Sequence, residues 1–217
     1  MSGPLTDIET RILGSLVEKQ LTTPEYYPLT LNSLVAACNQ KSNRDPVMSL
    51  TDTSVLSAID PLRDRNLVYL YYGSSSRTVK YKHMLAGVYE LDDAGVAVMA
   101  VLMLRGPQTL GELRERTGRL YEFSGLGEVQ ETLDLLSRRD EPVVVKLERQ
   151  AGQKEARYAH LFSGPVEAAA AGAAGPQGDR PAGIDARIEG LETRVSDLQA
   201  ELKELHDRFD EFRAQFN

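Results

Sequence analysis

The chain has 217 residues, of which 41% are hydrophobic and 26% are charged, as expected for a soluble globular protein of one or two domains. Its formal net charge of −7 argues against indiscriminate binding to nucleic acid or to acidic membranes, although a local basic patch is compatible with an acidic total. Cys38 is the only cysteine, which excludes an intrachain disulfide and a cysteine-cluster metal site.

The sequence carries no pattern typical of secretion or membrane insertion. No basic segment followed by an apolar one opens it. The longest apolar run, Val96 to Leu104, has nine residues, about half of a membrane span. We therefore expect a cytoplasmic protein.

Residues 1–88 predict three helices followed by a β-hairpin. Thr6 and Glu9 have the spacing of a capping box, and an apolar stripe with helical periodicity follows them. A proline-rich connector leads to a second helix over about residues 31–38. A third helix follows with Pro61 inside it, and the segments LVYLYY and RTVKYKH, separated by GSSS, are typical of a hairpin.

The connection between the second and third helices, ACNQKSNRDPVMSL, is rich in hydrogen-bond donors and cations. A compact helix-turn-helix needs about three or four residues there, whereas this chain has about ten. Lys41, Asn43 and Arg44 have donors suited to phosphate oxygens, which makes them candidates for nucleic-acid binding. Two alternatives remain open, namely a contact to another protein and a loop that supports the fold, with Arg44 tied to a carboxylate.

The hairpin of residues 66–88 carries Arg77, Lys80 and Lys82, no acidic residue, and interleaved tyrosines. A basic hairpin can follow a phosphate backbone or enter a minor groove. These three cations are therefore further candidates for nucleic-acid binding. The alternative is a solvated hairpin whose tyrosines pack on the helices.

Residues 89–163 repeat the pattern of the first unit. Three pairs of segments match in the same order, PLTLNSL with PQTLGEL, VLSAIDPLRDR with VQETLDLLSRR, and RTVKYKH with KEARYAH. Their offsets of 79, 74 and 77 residues indicate a duplicated unit. His83 and His160 fall at matching ends of the two hairpins, which predicts a repeated packing or hydrogen-bonding role.

The second unit again predicts three helices and two strands. Thr109 and Glu112 have the spacing of a second capping box. The predicted elements are helices over residues 92–104, 109–117 and 128–139 and strands over residues 143–147 and 156–162. Three helices followed by a two-stranded hairpin is the order of elements in a winged helix.

Residues 164–183 predict a flexible linker, because fifteen of these twenty residues are alanine, glycine or proline. Residues 184–217 then place apolar residues at alternating steps of four and three, which is the seam of a coiled coil. This pattern predicts an oligomerisation helix and a dimer. The alternative is an amphipathic helix that folds back on its own domain. The predicted seam consists of Ile184, Ile188, Leu191, Val195, Leu198, Leu202, Leu205, Phe209, Phe212 and Phe216.

The predicted fold is therefore mainly α with small β hairpins (α+β). It has two tandem winged-helix domains, residues 1–88 and 89–163, followed by the flexible linker, residues 164–183, and the coiled-coil helix, residues 184–217.

Four segments resemble a known family. They are LVEKQ, TTPEYYPLTLNSLVAACNQKSNRDPVM, LYEFS and RYAHLFSG. Together they resemble the bacterial YceH-like family of uncharacterised tandem winged-helix proteins, over about residues 5–164. The resemblance implies two winged-helix domains, often with a C-terminal heptad tail. It implies no biochemical role for individual residues, and its suggestion of DNA binding rests on fold analogy.

Charge is distributed unevenly along the chain. Residues 1–88 have a net charge of +1, residues 89–163 of −3 and residues 164–217 of −5. In the second unit the third helix presents Glu128 and Glu131, which would repel phosphate. This acidic face and the long linker motivate a scaffold that binds another protein through these two residues.

No nucleophile, base and orienting group can be assembled from the sequence spacing, and no cluster of cysteine, histidine or carboxylate residues has metal-ligand spacing. We therefore expect no enzyme activity, no metal and no cofactor. The leading prediction is a dimeric winged-helix protein that binds double-stranded DNA as a transcriptional regulator and has no membrane partner. The alternative is the protein-interaction scaffold.

Overall fold

A computed structural model describes residues 3–72, 78–149 and 155–165. These residues form seven α-helices and five short strands, so the predicted mixture of helices and small sheets is confirmed. The elements are α1 (Asp7–Thr22), β1 (Leu29–Thr30), α2 (Leu31–Cys38), α3 (Asp52–Asp64), β2 (Val68–Tyr72), β3 (Val79–His83), α4 (Leu85–Val88), α5 (Asp93–Arg105), α6 (Leu110–Thr117), α7 (Leu126–Ser137), β4 (Val144–Lys146) and β5 (Tyr158–His160), with a 3-10 turn at Pro24–Tyr26.

All described residues belong to one compact unit. The linker beyond residue 165, the predicted coiled-coil helix and Arg77 lie outside the described residues.

Threonine caps begin four of the described helices, α1, α2, α3 and α6. At α1 the Thr6 hydroxyl accepts from the Glu9 N–H, and the Glu9 carboxylate accepts from the Thr6 N–H at 2.6 Å. Thr109 and Glu112 form the same arrangement at α6, with the carboxylate 2.9 Å from the Thr109 nitrogen. Both predicted capping boxes are therefore confirmed, and each satisfies backbone donors that the first helical turn leaves unpaired.

The strands form two small antiparallel sheets. In the first sheet the order is β1-β3-β2, and β2 pairs with β3 so that Tyr69 lies opposite Lys82 and Tyr71 opposite Lys80. β4 and β5 form the second sheet. The predicted antiparallel pairing of strands is confirmed in both cases. β1 lies outside the predicted elements, because a two-residue strand is too short to show an alternating pattern.

Helices α1 and α5 pack against each other at the centre of the described fold. Every residue of α1 from 9 to 18 and every residue of α5 from 94 to 104 is buried. α1 also packs on α2 and α3, and α5 on α6 and α7, so buried residues from both halves of the described fold form one hydrophobic cluster. The boundary after residue 88, at the end of α4, stays a prediction from the repeat.

A close approach between α1 and α5 occurs at Gly14. A Cβ atom on this glycine would lie 3.0 Å from Leu104 Cγ and 3.1 Å from Met103 Cβ. Ordinary contacts between such atoms are at about 3.5–4.0 Å. The absent side chain of Gly14 therefore allows the two central helices to meet.

Of the two histidines at the hairpin ends, His83 is buried and His160 is partly buried. His83 Nδ1 accepts from the Leu85 N–H at 3.2 Å, which joins the end of β3 to the start of α4. Burial lowers the pKa of His83 and that of His160 to about 4. Both imidazoles are therefore neutral near pH 7.

Replacing Gly14 by valine should lower the free energy of unfolding by about 1–3 kcal/mol, because the added side chain overlaps Leu104 and Met103. Equilibrium urea denaturation measures the change. Gly127→Val in α7 is the control, since nothing lies within 4 Å of a Cβ there. Equal stability losses in the two variants would contradict the tight contact between α1 and α5.

Candidate nucleic-acid interface

The loop between α2 and α3, residues 39–51, is closed by a single asparagine. Nδ2 of Asn39 donates to the Leu50 carbonyl at 2.8 Å, and Oδ1 of Asn39 accepts from the Leu50 N–H at 2.7 Å. An amide side chain can make both bonds because it carries a donor and an acceptor. The two ends of this long loop are therefore held together.

Arg44 is buried within this loop and pairs with Glu18 of α1. Its guanidinium donates to Oε1 of Glu18 at 3.0 Å and to Oε2 at 2.6 Å. It also donates to the carbonyls of Ala37 and Asn43, both at 2.9 Å, and to the side-chain oxygen of Gln40 at 3.0 Å. The Arg44 side chain is 0% exposed. The prediction that Arg44 contacts a phosphate is corrected here, because all of its nitrogens face groups of the chain itself.

A second buried cation of α1 holds the same loop. Arg11 is 2% exposed and donates to the Cys38 carbonyl at 3.2 Å and to the Pro46 carbonyl at 2.6 Å. Burial, followed by the charge of Arg44, lowers the pKa of Arg11. Arg11 and Glu18 are seven residues apart, two helical turns, so they lie on one face of α1. That face fixes both the start and the middle of the loop.

The outer part of the loop contacts the end of α5. The Asp45 N–H donates to the Leu104 carbonyl at 2.9 Å, and Arg105 donates to Asn43 Oδ1 at 2.8 Å. Asn43 has a φ of 57°, a left-handed conformation that asparagine adopts more readily than most residues. Asn43 and Lys41 are exposed, as residues that contact a partner must be, but Asn43 already bonds to Arg105.

The first sheet presents alternating tyrosines and lysines on its outer face. Directly opposed residues of an antiparallel pair lie on the same face, so Tyr69 and Lys82 share this face with Tyr71 and Lys80. Tyr69 is 62% exposed and Tyr71 is 46% exposed. Both lysines are partly exposed. We call these four residues the Tyr/Lys face. The alternative in which the tyrosines pack on the helices is wrong for Tyr69 and Tyr71.

The structure brings Lys80 and Lys82 together but separates them from Lys41. Thr30, the last residue of β1, lies opposite Lys80, and α2 begins immediately after it. Helix α2 has eight residues and therefore spans about 12 Å. Lys41 follows the far end of that helix. The two groups of predicted contacts are thus at opposite ends of α2.

Helix α3 is acidic on its exposed side. Asp52, Asp60 and Asp64 are exposed, and the one arginine within α3, Arg63, is 3.0 Å from the Asp60 carboxylate. Helix α3 therefore offers few free donors to the edges of bases.

The acidic residues of α7 have different roles. Glu128 accepts from the Tyr121 hydroxyl and from the N–H and hydroxyl of Ser124, each at 2.8 Å. The bonds from Ser124, and then that from Tyr121, lower the pKa of Glu128. Of the two residues predicted to contact a partner protein, Glu131 is exposed whereas Glu128 holds the start of α7.

Arg11 and Glu18 were not among the residues predicted from the sequence. The signal available there is their spacing of seven residues, which places both on one face of α1, each beside an apolar residue. Burial raises the pKa of the Cys38 thiol to about 11, which makes it a poor nucleophile.

Within the described ranges, no group of three or more potential metal ligands occurs. Across those same ranges, every helix is too short or too polar to span a bilayer.

Comparisons with known proteins identify one family. Residues 5–153 match the family described as "Protein of unknown function, DUF480". A UPF0502 protein of Opitutus terrae is 49% identical over 190 residues, which are 86% of this chain and 83% of the relative. A UPF0502 protein of Geobacter metallireducens is 49% identical over 219 residues, covering 100% of both chains. One of Citrifermentans bemidjiense is 53% identical over 164 residues, 76% of each chain. The resemblance to a family of uncharacterised bacterial proteins is confirmed.

Replacing Arg44 by methionine should lower the free energy of unfolding by about 3–5 kcal/mol, because Glu18 loses the cation that compensates its burial. Lys41→Met, in the same loop but exposed, is the matched control and should change stability by less than about 0.5 kcal/mol. Urea denaturation measures both.

A double variant, Glu18→Leu with Arg44→Met, separates the ion pair from the rest of the loop. It should regain part of the lost stability, since an apolar pair often replaces a buried ion pair without loss. The carbonyls of Ala37 and Asn43 still lose a donor in this variant. A double variant less stable than Arg44→Met would contradict the proposed coupling.

Proposed function

The chain belongs to the DUF480 family, and from the chemistry of its first sheet we propose that it is a non-enzymatic protein that binds double-stranded DNA as a dimer, in the role of a transcriptional regulator. The observation that carries this proposal is the Tyr/Lys face, on which Lys80 and Lys82 stand opposite two exposed tyrosines. Lysines bind phosphate as point charges, and tyrosine hydroxyls add hydrogen bonds to phosphate or sugar.

The order of elements supports two winged helices in tandem. Helices α1, α2 and α3 precede the β2–β3 hairpin, and α5, α6 and α7 precede β4 and β5. β1 completes the first sheet beside β3. In this interpretation α2 and α3 form the helix-turn-helix of the first domain, and the Tyr/Lys face belongs to its wing.

We propose contact through the wing in preference to the third helix. A helix that reads a major groove needs arginine, lysine, asparagine or glutamine at its exposed positions. The exposed side of α3 instead has three aspartates, and α7 exposes Glu131. A phosphate backbone would be repelled by both helices and attracted by Lys80 and Lys82. Arg77, which also belongs to the proposed surface, lies outside the described residues.

Wing contacts of this kind position a protein on DNA without reading much sequence. Two lysines release few counterions, so one protomer would bind weakly. A dimer formed through the heptads of residues 184–217 would place two such surfaces on one duplex and raise the overall affinity. Dimerisation would therefore contribute directly to the proposed binding of DNA.

Replacing Lys80 and Lys82 together by alanine should weaken binding to a labelled random duplex, measured by fluorescence anisotropy. The slope of log K against log salt should become less negative by about 2 per bound protomer, because two phosphate contacts are lost. Lys146→Ala, on β4 of the second hairpin, is the control and should leave the slope unchanged. Absence of binding by the natural chain at low salt would overturn the proposed function, and unchanged binding by the double variant would overturn the proposed surface.

A chain that ends at Gly183 should have the mass of one chain in light scattering, whereas the full-length chain should have the mass of two chains. The reason is that the ten apolar residues of the heptad seam are removed together. An unchanged association state would contradict the coiled-coil prediction. Far-ultraviolet circular dichroism of the shortened chain controls for loss of the remaining helices.

A further inference from the structure

A cleft of about 240 Å³ lies between α1, the loop of residues 39–51 and the ends of α5 and α6. Apolar residues of α5 and of the turn after α6 form part of its wall, and polar side chains of the loop form another part. Four cationic side chains line it: Lys19, Arg105, Arg116 and Arg119. They come from positions spread over 101 residues of sequence, so only the folded chain brings them together.

The carboxylates near this cleft neutralise only part of that charge. Among the described residues of its lining, Glu18 is the one carboxylate, and its Oε2 lies 2.6 Å from Arg44 and 3.9 Å from Lys19, so it is shared between two cations. Glu112, on α6, lies 3.4 Å from Arg116, but its other oxygen lies 2.8 Å from Arg157. One carboxylate is thus shared between two arginines. The cleft retains a net positive charge.

The cations are close enough to influence one another. Burial, followed by the charge of Arg116, lowers the pKa of Arg105. Arg105 donates to a neutral oxygen of Asn43, which leaves its charge without a carboxylate in direct contact. A bound anion would relieve this repulsion, and the partly apolar cleft would strengthen the attraction relative to open solvent.

We propose that this cleft is a binding site for a small organic anion with a phosphate or carboxylate group. Guanidinium groups match the geometry of both anions and bind them through paired hydrogen bonds. The cleft volume lies below the roughly 300–1,000 Å³ of sites for drug-sized ligands, which favours a small molecule over a polymer. Val101, Leu104 and Leu120 would contact the carbon skeleton of such a molecule. This proposal does not depend on DNA binding.

Thermal unfolding of the full chain in the presence of pyrophosphate or citrate tests the site. At about ten times its dissociation constant, a probe that binds here should raise the unfolding midpoint by about 3–5 °C above sodium chloride at equal ionic strength. Arg116→Gln with Arg119→Gln should abolish this rise. The control, Arg114→Gln with Arg138→Gln, removes the same charge from exposed arginines outside the cleft and should retain it.

Isothermal titration of the same proteins with each probe should give one site per chain, with affinity reduced at least tenfold in the Arg116 and Arg119 variant. If neither pyrophosphate nor citrate raises the midpoint of thermal unfolding above its value in sodium chloride, the proposal is overturned. Equal responses of the cleft variant and its control would overturn it as well. If the cleft variant loses binding to a DNA duplex yet keeps its response to pyrophosphate, these arginines belong to a nucleic-acid surface and the proposal fails.

Discussion

The ion pair between Glu18 and Arg44 is the interaction on which the first half of this fold depends. A long polar loop between two helices has no apolar core of its own, so its conformation must be held by hydrogen bonds. Arg44 supplies such bonds to the carbonyls of Ala37, within α2, and of Asn43, the residue before it, while its charge is compensated by Glu18. Arg11 adds two more from the same face of α1. A buried pair of this kind adds little net stability relative to an apolar pair, because dehydrating both charges is costly, but removing one partner leaves the other charge buried and uncompensated.

Holding the loop in this way has consequences on both of its sides. Toward the interior, it covers α1, which is buried throughout its middle. Toward the second half of the repeat, it reaches the end of α5 through Asp45 and Asn43. The two halves therefore meet along α1 and α5, where Gly14 allows close contact, and also through the loop. The excess of donors in the sequence of this loop is explained first by the fold, and only Lys41 and its neighbours on the outside remain for other contacts.

Charge is arranged on this protein by surface rather than by domain. The exposed side of α3 is acidic although the first half as a whole has a net charge of +1. Two of the four lysines of that half, Lys80 and Lys82, lie on the outer face of the first sheet, whereas Lys19 and three arginines of the acidic second half line a cleft. The net charge of a domain therefore predicts little about where an anion would bind, because a single helix or strand separates an acidic surface from a basic one. The proposed contacts with DNA and with a small anion rest on these local concentrations.

Much of the fold was predictable from local pattern. The capping residues, the apolar stripes of α1 and α3 and the alternation in the hairpins are determined within a few residues, because helices and strands have fixed periods. The sequence by itself also determined family membership. The candidate site was predictable only in part: Lys80 and Lys82 share a face because they are two apart on a strand. The direction in which Arg44 points, the engagement of Glu128 and the meeting of Lys19 with Arg105, Arg116 and Arg119 were decided by tertiary structure alone. Each of these arrangements depends on groups that are distant in sequence, or on whether a polar group is bound by water or by a buried partner. The local periodicity of the sequence does not encode that choice.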